Sequence, residues 1–165
     1  MRLLDRLKTE ILIADGAIST LLHSYGTDSC FEEFNLSRPN DIVKIHQAYI
    51  EAGADIIQTN TYAANYIKLQ RYGLEDQVAD INRAAVKLAR KAASETTFVL
   101  GTIGGIRGLH PTTITLEEIK TCFEEQLECL LSEEVDGILL ETYYDFTELE
   151  AVLAIAREKT ENLSD

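Results

Sequence analysis

Four times along the chain a short, nearly unbroken apolar run gives way to a stretch with helical periodicity, and this alternation restricts the fold most. The runs are Ile11–Ala14, Ala54–Thr61, Thr97–Gly105 and Val135–Thr142. Apolar runs of this kind read as strands covered on both faces, the environment of a parallel sheet. Between them the spacing predicts helices. One starts near Pro39, a residue suited to a first helical turn, places Ile42, Ile45 and Tyr49 on one face and closes at Gly53. After the second run a short helical piece ends near Gly73, and a helix over about Leu74 to Ser94 buries Val78, Ile81, Ala85, Leu88 and Ala92. Thr115 and Glu118 have the spacing of a capping box for a helix that turns Ile119, Phe123, Leu127 and Leu130 inward. Asp145 caps a last helix with Leu149, Val152, Leu153 and Ala156 inside.

Two architectures accept four consecutive βα units, a doubly wound sheet and a (β/α)8 barrel. A chain of 165 residues can bury one sizeable core, whereas a complete barrel takes about 250 residues and eight units. On the barrel reading, residues 1–165 form a single partial domain, a half-barrel of about the first four units. A doubly wound sheet is expected to carry nucleotide fingerprints. The glycine-rich stretch Gly101–Gly108 follows a strand but lacks G-x-G-x-x-G, and no G-x-x-x-x-G-K-[ST] occurs. Gly104 and Gly105 read equally as a tight turn or as a close approach of backbone to ligand.

Composition narrows the partners. Apolar residues make 45% and charged residues 26% of the chain, as in soluble globular proteins. No apolar run reaches the ~18 residues of a membrane span, and Met1–Lys8 lacks the apolar core of a signal peptide; a cytoplasmic protein is expected. The net charge of −13 sits mainly in Glu117–Asp165, with 15 acidic against 3 basic residues. That balance argues against nucleic acid and anionic membranes and reads as solvated helix faces. Cys30, Cys122 and Cys129 make no CxxC pair. Cys122 and Cys129 share a helix face but stand roughly 10 Å apart along its axis, too far to hold one zinc between them at Zn–S distances of about 2.3 Å.

Ligands of parallel α/β folds sit at the carboxyl ends of the strands. Those ends carry Asp15-Gly16, Thr59-Asn60-Thr61, Thr102–Gly105 and Glu141-Thr142. Asp-Gly is also a common turn pair, and Glu141 could serve as an ion-pair partner or cap. Their joint placement suggests two carboxylates, with hydroxyl and amide groups between them, around a small zwitterion bearing an ammonium group. His23, His46 and His110 are scattered and none lies at a strand end, so no Ser/His/Asp or Cys/His nucleophile emerges. His46 reads as a packing or surface residue.

The blocks LIADGAISTLL, NDIVKIHQAYIEAGADIIQTNTYAANYIKLQRYGL, VLGTIGG and GILLETYYD resemble, in order and spacing, the homocysteine S-methyltransferase family over roughly Leu12 to Arg157. The likeness is nearest to the form fused to a methylenetetrahydrofolate reductase domain. It implies a (β/α)8 barrel that transfers a methyl group from a donor, S-methylmethionine or methyltetrahydrofolate, to homocysteine sulfur, giving methionine. It implies further that Asp15 and Glu141 hold the substrate ammonium, that Gly16 lets the chain pass close to it, and that Thr59, Asn60, Thr61 and Tyr62 line the pocket. Family chemistry uses zinc, because a thiol with pKa about 8.5 is mostly protonated at neutral pH and zinc coordination deprotonates it. The family holds that zinc with three cysteines beyond the fourth unit, and none of Cys30, Cys122 and Cys129 matches them. Two positions depart from the family pattern: Ile18-Ser19 replaces Met-Gly, and Gly105 replaces a proline.

The resemblance thus predicts an N-terminal fragment that holds homocysteine and transfers no methyl group alone. Two other readings stay open. One is a non-catalytic half-barrel that associates with itself or a complementary half through open sheet edges. The other is a different small-molecule barrel enzyme, a lyase or isomerase.

Overall fold

The apolar runs pair side by side and in one direction. The computed structural model describes residues 2–26, 29–108 and 113–161; His110 lies outside them. Its elements are α1 (Leu3–Leu7), α2 (Ile18–Leu22), α3 (Phe34–Ser37), α4 (Pro39–Glu51), β1 (Ile56–Gln58), α5 (Tyr66–Leu69), α6 (Val78–Ala92), β2 (Phe98–Gly104), α7 (Leu116–Leu131), β3 (Gly137–Glu141) and α8 (Phe146–Glu161). The sheet is parallel with order β1-β2-β3, Ile56 lying opposite Phe98 and Gly104 opposite Glu141. Because strands of a parallel pair need a crossover, α6 and α7 return the chain between them and pack on one another and on β2.

The first expected strand does not form. Ile11–Ala14 is extended but makes only an isolated parallel bridge, Ala14 to Ile56. The Asp15 N–H donates to the Ile56 carbonyl at 2.9 Å, and the Ile56 N–H donates to the Ile13 carbonyl at 3.1 Å. Apolar sequence alone cannot complete a strand whose side chains find no cover: Ile11 is 95% and Ile13 60% exposed. The long helix also begins later than expected. Gly73, at φ +67°, and a 3-10 turn over Glu75–Gln77 keep the chain curling until Val78.

The main core lies between the sheet and α6–α8. Phe123, Leu127 and Leu130 of α7 meet Val86, Ile103 and Val152, all fully buried. A buried side chain of this kind contributes roughly 1.5–3 kcal/mol relative to exposure. The capping box starts α7 as expected: the Glu118 N–H donates to Thr115 Oγ1 at 3.3 Å and the Thr115 N–H donates to Glu118 Oε2 at 2.8 Å. Asp145 caps α8, its Oδ1 accepting from the Thr147 N–H at 2.8 Å. Gly53 ends α4 at φ +104°, a left-handed conformation that side chains rarely adopt. Among the described residues no helix is long and apolar enough to cross a membrane.

His46 sits on the buried face of α4 with no exposure, and neither ring nitrogen finds a hydrogen-bond partner among the described residues. Burial pushes its pKa down from 6.5 to about 4. The folded state therefore favours neutral imidazole. The stability associated with that group is complete above pH 6.5, falls as pH drops from 6.5 to 4, and is lower by ~3 kcal/mol below that window. Denaturant unfolding of His46→Leu should show a gain of ~1 kcal/mol at pH 7, from removing unsatisfied polar atoms. The gain should widen steadily toward pH 4; a pH-independent difference would contradict this account of His46.

Candidate functional site

The polar strand ends converge as the alternating pattern suggests. Asp15, Gly16, Thr59, Asn60, Thr61, Tyr62 and Glu141 all line one cavity of about 430 Å³ at the carboxyl ends of the strands. Each is brought there differently. Asp15 follows the single bridge beside β1, and its Oδ2 accepts the Gln58 N–H at 2.9 Å. Glu141 closes β3 opposite Gly104. The next residue, Thr142, turns the chain at φ +57°, a conformation costly for a β-branched side chain and one that clusters at functional sites.

The segment after β1 is held from behind by buried polar groups. Asn60 Nδ2 donates to the Phe31 carbonyl at 2.7 Å, and Asn35 Nδ2 donates to the Asn60 carbonyl at 2.8 Å. Thr61 Oγ1 donates to the Thr102 carbonyl at 2.7 Å and lies 2.6 Å from Thr59 Oγ1, which accepts the Thr102 N–H at 3.1 Å. Gln126 of α7 donates to the Thr61 carbonyl at 2.7 Å. The polar side chains of Asn60 and Thr61 are thus spent on shaping the loop. Tyr62 packs on Gly104, where any Cβ would clash with its ring carbons. Gly16 has the Tyr49 hydroxyl against it, 2.9 Å from where a Cβ would stand. At Gly104 and Gly16 close packing, and not a positive φ, is what excludes a side chain.

The two carboxylates share a disfavoured electrostatic environment. Burial pushes the Asp15 pKa from 3.8 to about 6; the Gln58 N–H partly offsets this, and the charge of Glu141 pushes it further up. Burial also raises Glu141. Asp15 Oδ1 is buried with no hydrogen-bond partner among the described residues. A cation seated against both groups would relieve the desolvation and the mutual repulsion together.

Thr102, expected at a strand end, also lines the cavity, and sequence reasoning missed Glu32 and Gln58, which do so too. It also missed the supporting Asn35, Gln126 and Asn82, whose Nδ2 donates to the Ala64 carbonyl at 2.6 Å and whose Oδ1 accepts from Gln126 Nε2 at 3.3 Å. Asn82 and Gln126 did carry a signal: each falls on the apolar face of its helix, where a polar side chain needs a buried partner. Glu32 is 9% exposed; its Oε1 accepts the Ala63 N–H at 2.9 Å and its Oε2 the Cys30 thiol at 3.6 Å.

The three cysteines are buried and apart in the fold: Cys30 stands in the loop before α3, and Cys122 and Cys129 lie on α7. Burial pushes the Cys30 thiol up to about 12 and raises Cys122 and Cys129. Among the described residues no three His, Cys, Asp or Glu side chains are placed to hold a metal ion. These residues do not fit a zinc centre.

Comparison with known proteins matches this arrangement to one family. The family model described as homocysteine S-methyltransferase matches residues 12–164. The chain is 32% identical over 171 residues to methionine synthase of Mycobacterium leprae and likewise to that of Mycobacterium tuberculosis, covering 94% of this chain and 14% of each synthase. The metallated form of the homocysteine methyltransferase MmuM from Escherichia coli superposes with a TM-score of 0.79 at 24% identity, over 94% of this chain and 62% of that one. Its apo form gives a TM-score of 0.69 at 31% identity, covering 93% and 56%. The α/β fold with its parallel sheet is therefore similar to that of a homocysteine methyltransferase, and the chain spans less than two thirds of the methyltransferase and about a seventh of the synthases. With a match that runs from Leu12 nearly to the last residue, the chain belongs to the homocysteine S-methyltransferase family.

Proposed function

We propose that the chain is the N-terminal half of a (β/α)8 homocysteine S-methyltransferase barrel and that it supplies the grip on homocysteine. The observation that carries this reading is Asp15: a buried carboxylate oxygen without a partner, on a cavity it shares with a second carboxylate. The substrate ammonium would sit between Asp15 and Glu141, giving Oδ1 its missing donor. Gly16, Thr59, Asn60, Thr61 and Tyr62 would form the surrounding wall, with Gly16 leaving room for the chain to pass close to the amino acid. The reaction served is methyl transfer from S-methylmethionine or methyltetrahydrofolate to the homocysteine thiol. Family zinc would supply thiolate at neutral pH. The described residues offer it no donor set, so this chain's share is binding and orientation.

Calorimetric titration with homocysteine across pH tests the reading. An ammonium binds ionised Asp15, whose pKa is about 6 in the empty site. Above pH 6 the affinity should be level. Below it, Asp15 must lose its proton on binding, so the dissociation constant should rise about tenfold per pH unit, with proton release visible as a buffer-dependent heat. Homocysteine binding that is flat from pH 7 to 5, or absent at millimolar ligand, would refute the proposal.

A further inference from the structure

A second cavity of about 330 Å³ adjoins the first, and the two share Ser19, Phe31, Glu32 and Tyr62 as a common wall. Its charge is opposite. Lys68 and Arg71, one helical turn apart, line it together with the hydroxyl-bearing Ser19 and Ser29. The chain holds 28 acidic and 15 basic residues, and most of its described cations pair with a carboxylate. Lys68 and Arg71 make no ion pair among the described residues. Lys68 is half-buried with its ammonium 5.9 Å from the centre of the Tyr62 ring. Its pKa is lowered, first by burial and then by repulsion from Arg71. Lys68, half-buried beside the exposed Arg71, is the converse of the Asp15–Glu141 arrangement, and an anion would relieve its desolvation together with the repulsion between the two cations.

Glu32 and Glu148 attract Lys68 but form no ion pair with it or with Arg71 among the described residues, and both Glu32 oxygens already accept protein hydrogen bonds, from the Ala63 N–H and the Cys30 thiol. Tyr62 lines both cavities, its ring contacting Lys68 and packing against Gly104. A ligand in the second cavity would therefore share the Tyr62 wall with the amino acid held at Asp15 and Glu141.

We infer that the Lys68–Arg71 cavity is a carboxylate subsite for the second substrate, the molecule that brings the methyl group to the bound amino acid. This assignment rests on the homocysteine reading of the first cavity. The shared chemistry is a carboxylate, which an amino-acid donor carries once and a folate donor carries on its glutamate tail. The test is an NMR titration with glutarate, a minimal dicarboxylate, that follows the ring signals of Tyr62 and Tyr72, the latter also on the cavity wall. Glutarate should shift both in the unmodified chain. It should bind at least tenfold more weakly to the double variant Lys68→Met with Arg71→Ala, which keeps most of the Lys68 stem and removes both charges. Equal shifts in the two proteins, or none in the unmodified chain, would overturn the subsite.

Homocysteine titrated into the same two proteins should bind equally well, since neither residue touches the first cavity. Absence of homocysteine binding beside a charge-dependent glutarate response would refute the proposed function and leave an anion site. Parallel titrations with S-methylmethionine and methyltetrahydrofolate identify the source, because the natural ligand loses at least tenfold in affinity in the double variant. If neither donor loses affinity, the second-substrate assignment falls.

Discussion

Replacing Asp15 with Asn should weaken homocysteine binding by roughly 10- to 150-fold while making the folded chain more stable at neutral pH. The two effects share one cause. Asn keeps an oxygen for the Gln58 N–H, which donates to Asp15 Oδ2 at 2.9 Å, so the local backbone has no reason to move. What disappears is the charge that would meet the ammonium, and a charge-assisted hydrogen bond contributes about 1.5–3 kcal/mol. At ~1.4 kcal/mol per factor of ten, that gives the stated range. The stability effect has the opposite sign. The folded pKa of about 6 lies above the ordinary value of 3.8, so the folded state binds the proton more tightly than the unfolded chain. Ionisation of Asp15 therefore removes stability progressively as pH rises from 3.8 to 6, and the loss is complete above 6. Asn escapes it. A gain of about 1–3 kcal/mol at pH 7 should shrink to nothing below pH 4. Glu141→Gln should weaken binding in the same direction with a smaller stability gain, because Glu141 is less deeply buried. Calorimetry and denaturant titration on the same samples read both quantities. Loss of binding accompanied by loss of stability would make Asp15 a structural residue and sink its role as an ammonium clamp.

The elements that the sequence showed clearly are those whose determinants are local. Thr115 and Glu118 are three residues apart, and their reciprocal bonds form as their spacing predicts. Phe123, Leu127 and Leu130 repeat with the helical period and are fully buried. The seven expected site residues reach one cavity because parallel strands all deliver their carboxyl ends to the same side. Where sequence reading fell short, the deciding partner was distant. Gln126 supports Thr61 across 65 positions and Asn35 supports Asn60 across 25; a polar residue on an apolar stripe announces that it needs a partner but does not name it. Ile11–Ala14 fails in the complementary way. Its composition suits a buried strand, and nothing in its own residues records that Ile11 would remain 95% exposed. The open reading at Gly104 resolves differently again: the group that approaches its backbone is Tyr62, 42 positions earlier in the chain.

That contact makes Gly104→Ala the single methyl addition with the largest expected cost. A Cβ there would clash with Cε2, Cδ2 and Cζ of the Tyr62 ring. The φ of Gly104 is not positive, so the added methyl meets no backbone penalty and the effect is steric alone. Neither side can yield easily. Gly104 is paired to Glu141 across the sheet, and its N–H donates to the Tyr62 carbonyl at 3.0 Å, tying the ring's own backbone to the same residue. Overpacking of a fixed core position costs about 1–3 kcal/mol, and Gly104→Ala should reach the top of that range. Moving Tyr62 would also displace a wall shared by both cavities, so homocysteine affinity should fall together with stability. The suppressor separates this mechanism from a general weakness of β2. Tyr62→Ala removes the ring and by itself costs stability, as any large-to-small change at a packed site does. In the Gly104→Ala background it also removes the clash. The double variant should therefore be at least ~1 kcal/mol more stable than the sum of the single changes predicts, a coupling expected only of residues in direct contact. Strict additivity in denaturant unfolding would mean that the methyl is accommodated elsewhere and that Tyr62 is not the reason for glycine at position 104.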